Sequence, residues 1–233
     1  MVASDKTDPA LNTVNIPHEG PEEYGNIWQK VRSIWSYIYD NYYEDYDWFH
    51  IGGDDLYIIV ENLKYYLQSD EIYAAATIGR EEQGASKNTE RALFLGRRFA
   101  EQGNLNRIFN SGGSGYTINK AALKLLVAET YPNCFPHMKT FAEDVMNAQC
   151  FRNKGVFPYE TKDEKGGERY MPFTPEHHLN YRIPADKEKD WYAKYSLNIK
   201  EGLDHCSADA VAFHYIPTDL MAQMHSVLYG YCD

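Results

Sequence analysis

Apolar residues recur at Ile27, Trp28, Val31, Ile34, Trp35, Ile38 and Tyr42, the spacing that lines one face of a helix. Pro21 suits a first helical turn, and Glu22 and Glu23 sit near the positive end of the helix dipole. The pattern therefore predicts an amphipathic helix from Pro21 to about Tyr43, packed on a sheet. The period then changes. Trp48 to Ile51 reads as a short strand, Gly52 and Gly53 as a turn, and Ile59 to Leu67 as another helix. Residues 69–91 are polar and irregular and predict a surface loop. "ALFLGRRF" and "NRIFNSGGSGYTIN" predict two strands joined by a turn around Gly103 to Asn106. Asn119 is placed to cap a helix over "NKAALKLLVAETY", and "PHMKTFAEDVMNAQCFRNKG" predicts a second one ending near Gly155. The last third reads as loop-rich, with short apolar runs at "RYMPFTP" and "AVAFHYIP". Strands alternating with helices predict an α/β sandwich, and no Pro-, Gly- or Ser-rich linker divides it, so a single domain over 1–233 is expected.

Composition narrows what such a domain binds. With 23 basic against 34 acidic residues the formal charge is −11, which argues against a general binder of nucleic acid or of anionic membrane. One phosphate site built around a divalent cation remains compatible with that charge. There is no apolar run of about 18 residues to span a membrane. "MVASDKTDPALNTV" lacks the basic start and apolar core of a signal peptide. The 20 Tyr and 4 Trp serve core packing or the stacking of sugars. Cys134, Cys150, Cys206 and Cys232 form no CxxC, so they do not point to a structural zinc. Two disulfides or free buried thiols both remain open.

Four stretches could carry chemistry. In "GGDDLY" Asp54 and Asp55 follow a strand end beside two glycines, which suits oxygen ligation of Mg or Mn with a diphosphate close to the backbone, or an ordinary turn. Gly112, Gly113 and Gly115 give a bare, sharply turning backbone able to cradle a ligand. Glu143 and Asp144 lie in a predicted helix, where one of them becomes a general base if its face opens on a cleft. His177, His178 and His214 sit among apolar residues, as core histidines or, for one near the acid pair, as a metal ligand.

The order of the pieces adds to this. "YDWFHIGGDDLYIIVENLKYYL", "RIFNSGGSGYTINKAAL", "EDV" followed by Cys150, "ERYMPFTPEHHL" and "KEGLDHCSADAVAFHY" together resemble the core 1 β1,3-galactosyltransferases, within the fringe-like glycosyltransferase family, over roughly residues 2–230. The resemblance implies a GT-A type fold, a Rossmann-like mixed sheet flanked by helices. It implies inverting transfer of a sugar, galactose first of all, from a UDP-sugar to a protein-linked GalNAc, with Mn2+ as the metal. Asp55 would hold the metal, with Asp54 beside the ribose and diphosphate and His214 as second protein ligand. Asp144 would be the base that deprotonates the acceptor hydroxyl. Gly112 and Gly113 would wall the donor cleft, and Tyr116, Glu143 and Trp191 would contact substrate. Cys134 and Cys150 match a disulfide pair of the family. The resemblance places such a protein in the Golgi lumen behind a single-pass anchor that this sequence lacks, and leaves a homodimer open.

Departures from the family pattern are specific. The family shows three consecutive aspartates where this chain has Gly53, Asp54 and Asp55, and two adjacent cysteines where it has His205 and Cys206. Cys232 is then a candidate partner for Cys206. "MVASDKTDP" resembles the second strand of the family's domain, so an N-terminally truncated domain lacking the first strand and helix is expected. A fringe-like transferase with another donor or acceptor, and a non-catalytic glycan-binding or chaperone-like relative, are the alternatives.

Overall fold

The structure, a computed structural model, describes residues 1–77 and 90–230. Two short strands open the chain, β1 (Val2–Ser4) and β2 (Thr13–Asn15), and among the described residues they pair only with each other, in parallel. A 3-10 turn over Tyr24–Asn26 precedes α1 (Ile27–Tyr42). The helix starts later than Pro21 because the Asn26 amide donates back to the carbonyls of Glu19 and Pro21, holding that segment as a loop. Its apolar face buries Trp28, Val31 and Trp35, as the spacing requires.

Next come β3 (Trp48–Ile51), β4 (Tyr57–Ile58) and α2 (Val60–Leu67), close to expectation. A helix, α3 (Asp70–Thr77), then replaces the start of the expected surface loop. Ile72, Ala75 and Ala76 bury its inner face, a pattern of small residues that a polar neighbourhood hides. Residues 78–89 of that expected loop lie outside the described residues.

Strands β5 (Phe94–Gly96), β6 (Arg98–Ala100), β7 (Ile108–Asn110) and β8 (Tyr116–Asn119) follow. The expected antiparallel pair is β6 with β7, Phe99 facing Phe109. Strand β8 runs antiparallel between β3 and β5, so Phe49 and Phe94 both face Ile118. The predicted cap holds: Asn119 Oδ1 accepts from the Ala122 N–H at 3.0 Å and opens α4 (Lys120–Lys124), which widens into a π turn over Leu125–Thr130.

The second predicted helix is shorter than 136–155. As α5 it spans Glu143–Arg152, because α1 captures the preceding backbone. Trp28 Nε1 donates to Phe135 O, and Gln29 Nε2 donates to Pro136 O and Met138 O, at 3.0, 3.0 and 2.7 Å. Carbonyls bound that way hold the segment as a run of turns across α1. Cys134 and Cys150 form a disulfide that ties α5 to it, Cα to Cα 5.9 Å.

The last third is more regular than its pattern suggested. It holds β9 (Tyr170–Met171), α6 (Pro175–Asn180), α7 (Trp191–Tyr195), β10 (Ala212–Phe213) and α8 (Thr218–Tyr229). Strand β10 lies between β4, antiparallel, and β9, parallel, giving a small mixed sheet. Helix α8 escaped the pattern because no residue on it is fully buried, with Leu220, Met221 and Met224 only leaning on the cluster of Tyr57, Phe213 and Ile216. The architecture is mixed α/β with small sheets. No described helix is long and apolar enough to cross a membrane. Cys206 Sγ rests 4.0 Å from Met171 Sδ, while Cys232 lies outside the described residues.

Candidate active site

The pairing of β10 with β4 builds the first half of the site. Phe213 faces Tyr57 in the antiparallel register, so one more step along each strand brings His214 beside the turn that carries Asp55. The main chain fixes the junction: Ile216 N–H donates to Asp55 O at 2.9 Å, and His214 N–H donates to Met171 O at 3.0 Å. Asp55 Oδ1 and His214 Nε2 then stand 3.2 Å apart. The His214 Nδ1–H is donated to Pro172 O at 3.3 Å, which turns the lone pair of Nε2 toward the carboxylate. Asp55 stays partly exposed and Asp54 is fully on the surface, without a hydrogen bond or ion pair among the described residues. Asp54 is therefore next to the pair in sequence and not joined to it.

Gly113 closes against this pair. A Cβ there would lie 2.5 Å from His214 Cε1 and 2.6 Å from Nδ1, so only glycine lets the imidazole take its place. Its neighbour Gly112 faces the other way. The Gly112 N–H donates to Asp144 Oδ2 at 2.9 Å, and a Cβ on Gly112 would collide with Glu143 Oε1. One turn of backbone thus separates the aspartate–histidine pair from the two acids of α5.

Those acids are held differently. Glu143 and Asp144 are half-buried as residues, but their carboxyl groups are packed about by protein. Asp144 Oδ1 accepts the Val145 N–H at 2.8 Å, at the positive end of α5. Glu143 Oε2 accepts from Tyr116 O–H at 2.9 Å and from Asn147 Nδ2 at 3.1 Å. Burial pushes both carboxyl pKa values up. The negative charge of Asp144 lifts Glu143 further, against the opposing donors Tyr116 and Asn147, while the backbone N–H groups of Gly112 and Val145 oppose the rise at Asp144. When environments separate two carboxyl groups in this way, the proton stays on one and the other is left as the base. Here Glu143 keeps it.

Trp191, at the start of α7, is 54% exposed. Its ring packs 5.8 Å from that of Phe173, which stacks on Tyr215 at 6.0 Å, and Tyr215 lies 3.8 Å from the His214 ring. An aromatic run therefore leads from Trp191 to the aspartate–histidine pair. Phe173 and Tyr215 do not stand out in the sequence, nor do Asn147 and Tyr131 behind Glu143. Only their place beside motif residues marks them. His177 and His178 do not join the pair. His177 stacks on Phe173 at 4.1 Å, and His178 is buried in a 4.7 Å stack on His205. Burial drives the pKa of His178 down to about 2 and of His205 to about 3, so both are neutral core residues.

No protein-family model matches the chain. It is 29% identical, over 203 residues, to glycoprotein-N-acetylgalactosamine 3-beta-galactosyltransferase 1 of Xenopus laevis, covering 87% of this chain and 50% of that protein. It is 31% and 30% identical, over 156 residues, to chondroitin sulfate synthase 3 of Mus musculus and of Homo sapiens, covering 65% of this chain and 16% of each. The chain spans half the length of the first relative and a smaller share of the others. All three relatives are named for building glycans, and the chain is a relative of glycosyltransferases that resembles the core 1 β1,3-galactosyltransferases.

Proposed function

We propose that this chain carries the catalytic site of an inverting, metal-dependent glycosyltransferase of GT-A type. It moves a sugar, galactose in the first instance, from a UDP-sugar to a protein-linked GalNAc in β1,3 linkage, in the Golgi lumen. The approach of Asp55 and His214 carries this reading. Two ligands at right angles, each about 2.1 Å from an octahedral divalent ion, stand about 3.0 Å apart, so the 3.2 Å spacing fits neighbouring coordination positions. Among the described residues no cluster of three or more His, Cys, Asp or Glu side chains could hold a metal. Diphosphate oxygens and water would fill the remaining positions. When bound, Mn2+ would offset the charge that develops on the departing diphosphate.

The chain's own residues supply the rest. The bare backbone of Gly112 and Gly113 admits the diphosphate and donor sugar between the two halves of the site. Asp54, exposed beside Asp55, faces the ribose side. Asp144 deprotonates the acceptor hydroxyl, and a single displacement at the anomeric carbon needs no covalent intermediate. The exposed rings of Trp191 and Tyr215, propped by Phe173, offer a stacking surface for the acceptor sugar.

Titration with Mn2+ tests this, following UDP release from UDP-galactose and galactose transfer to a GalNAc-peptide. Turnover should rise with the metal, vanish in chelator and be lost in Asp55→Ala while the circular dichroism spectrum stays unchanged. Metal-independent turnover, or an active Asp55→Ala, would overturn the reading. A second reading is a transferase with another donor or acceptor, favoured by the similarity to chondroitin sulfate synthase 3. Activity on a chondroitin oligosaccharide with none on the GalNAc-peptide would select it. Glycan binding that persists in chelator without turnover would select a non-catalytic relative.

A further inference from the structure

Behind Glu143 lies a buried hydrogen-bond chain whose direction can be followed donor by donor. Tyr131 O–H donates to Asn147 Oδ1 at 2.7 Å, which fixes the orientation of that amide. Asn147 Nδ2 therefore points the other way, to Tyr116 OH at 2.8 Å and to Glu143 Oε2 at 3.1 Å. Trp35 Nε1, a donor only, also reaches Tyr116 OH, at 3.3 Å. The Tyr116 oxygen thus accepts twice, and its single hydrogen is free for Glu143 Oε2 at 2.9 Å. Tyr116 and Asn147 are both fully buried.

Oε2 of Glu143 consequently receives two donors, and a proton of its own has no place there. The other oxygen, Oε1, takes up the space that a Cβ on Gly112 would fill, in the glycine turn. The charged and titratable groups around it are few. Asp144 follows on α5, Tyr116 and Tyr131 face it from β8 and the π turn, and Arg32 of α1 sits 4.8 Å over the Tyr131 ring with its donors on the carbonyls of Tyr131 and Cys134. Among the described residues no Lys or Arg pairs with Glu143, and burial together with the neighbouring Asp144 outweighs the Tyr116 and Asn147 donors that would favour a second negative charge there.

We propose that Glu143 holds substrate as a hydrogen-bond donor, presenting Oε1–H to an uncharged sugar oxygen, with Tyr116, Asn147 and Tyr131 as positioning residues that keep the hydrogen on that oxygen. The ligand class rests on the sugar-transfer reading above, while the placement of the hydrogen stands on the network alone. The two acids then divide the work, Asp144 taking a proton and Glu143 lending a hydrogen without giving it up.

Infrared difference spectra of the wild type minus Glu143→Gln, at pH 7, test the placement without any turnover. The carbonyl band of a protonated acid should appear, move in Tyr131→Phe, and shift again when a GalNAc-peptide is added. Carboxylate bands alone would overturn the proposal, as would a protonated-acid band that the saturating peptide leaves unmoved. Kinetics give the second reading. Glu143→Gln keeps a donor and an acceptor in place and should lose no more than about fivefold in kcat/KM, against about 100-fold for Glu143→Ala. The fall in kcat/KM at alkaline pH, where Glu143 ionises, should disappear in Glu143→Gln, while the fall at acidic pH stays. Equal collapse of both variants would make Glu143 the base and end the proposal. A wild type without transferase activity would refute the functional reading, leaving the infrared result to decide the hydrogen.

Discussion

Asp55 and Glu143 flank the same glycine turn, yet the protein supports them in opposite ways. Among the described residues Asp55 has a single side-chain partner, His214, and keeps a partly open face. Glu143 is enclosed and braced by Tyr116, Asn147 and, through Asn147, Tyr131. The first arrangement leaves the carboxylate open to solvent on one side. The second is complete already and needs nothing from outside to keep its shape. For the transferase proposed above, the open half suits release of a nucleotide and the stiff half suits orientation of a hydroxyl.

Substitutions should separate the two halves. The largest effect is expected for Asp144→Asn, which keeps the acceptor for the Gly112 N–H but removes the base. Its kcat should fall about 10³-fold at unchanged KM for the donor, measured by initial rates. Next comes stability. Asn147→Ala leaves the buried Tyr131 O–H without its acceptor and takes a donor from both Tyr116 and Glu143, and should cost about 2–3 kcal/mol in urea unfolding, whereas Asp55→Ala should stay within about 0.5 kcal/mol because its side chain is partly solvated. Equal costs would erase the contrast between the two halves. The smallest is Gly113→Ala, whose methyl displaces the His214 ring. It should raise the Mn2+ concentration for half-maximal turnover about 10-fold and leave kcat at saturating metal nearly intact.

What could be read from the chain follows the same division. The helix of Ile27 to Tyr42 announces itself because Trp28, Val31 and Trp35 repeat at helical spacing over several turns. Asn119 is legible as a cap because one side chain closes the first turn of its own helix. The truncated start of α5 was hidden, since it depends on Trp28 and Gln29 reaching across more than a hundred residues. Helix α8 was hidden for the opposite reason, having no fully buried face to set a period. Within the site, Asp54, Asp55, Glu143 and Asp144 stand out as acids beside glycines or adjacent to each other, and His214 by its place in an apolar strand. Tyr215 and Asn147 do not, because an aromatic after a strand and an amide inside a helix are ordinary until tertiary packing gives them partners. Asp54 looks equal to Asp55 in sequence and differs only once the turn aims one inward.

The bond from Ile216 N–H to Asp55 O belongs to the main chain and is blind to the identity of the residues it joins. A lineage can exchange neighbouring side chains, even an acid for Gly53, and still inherit the same meeting of strand ends. Divergence is then free to act on the rim, where what is recognised can change, while the meeting of Asp55 and His214 is handed down intact.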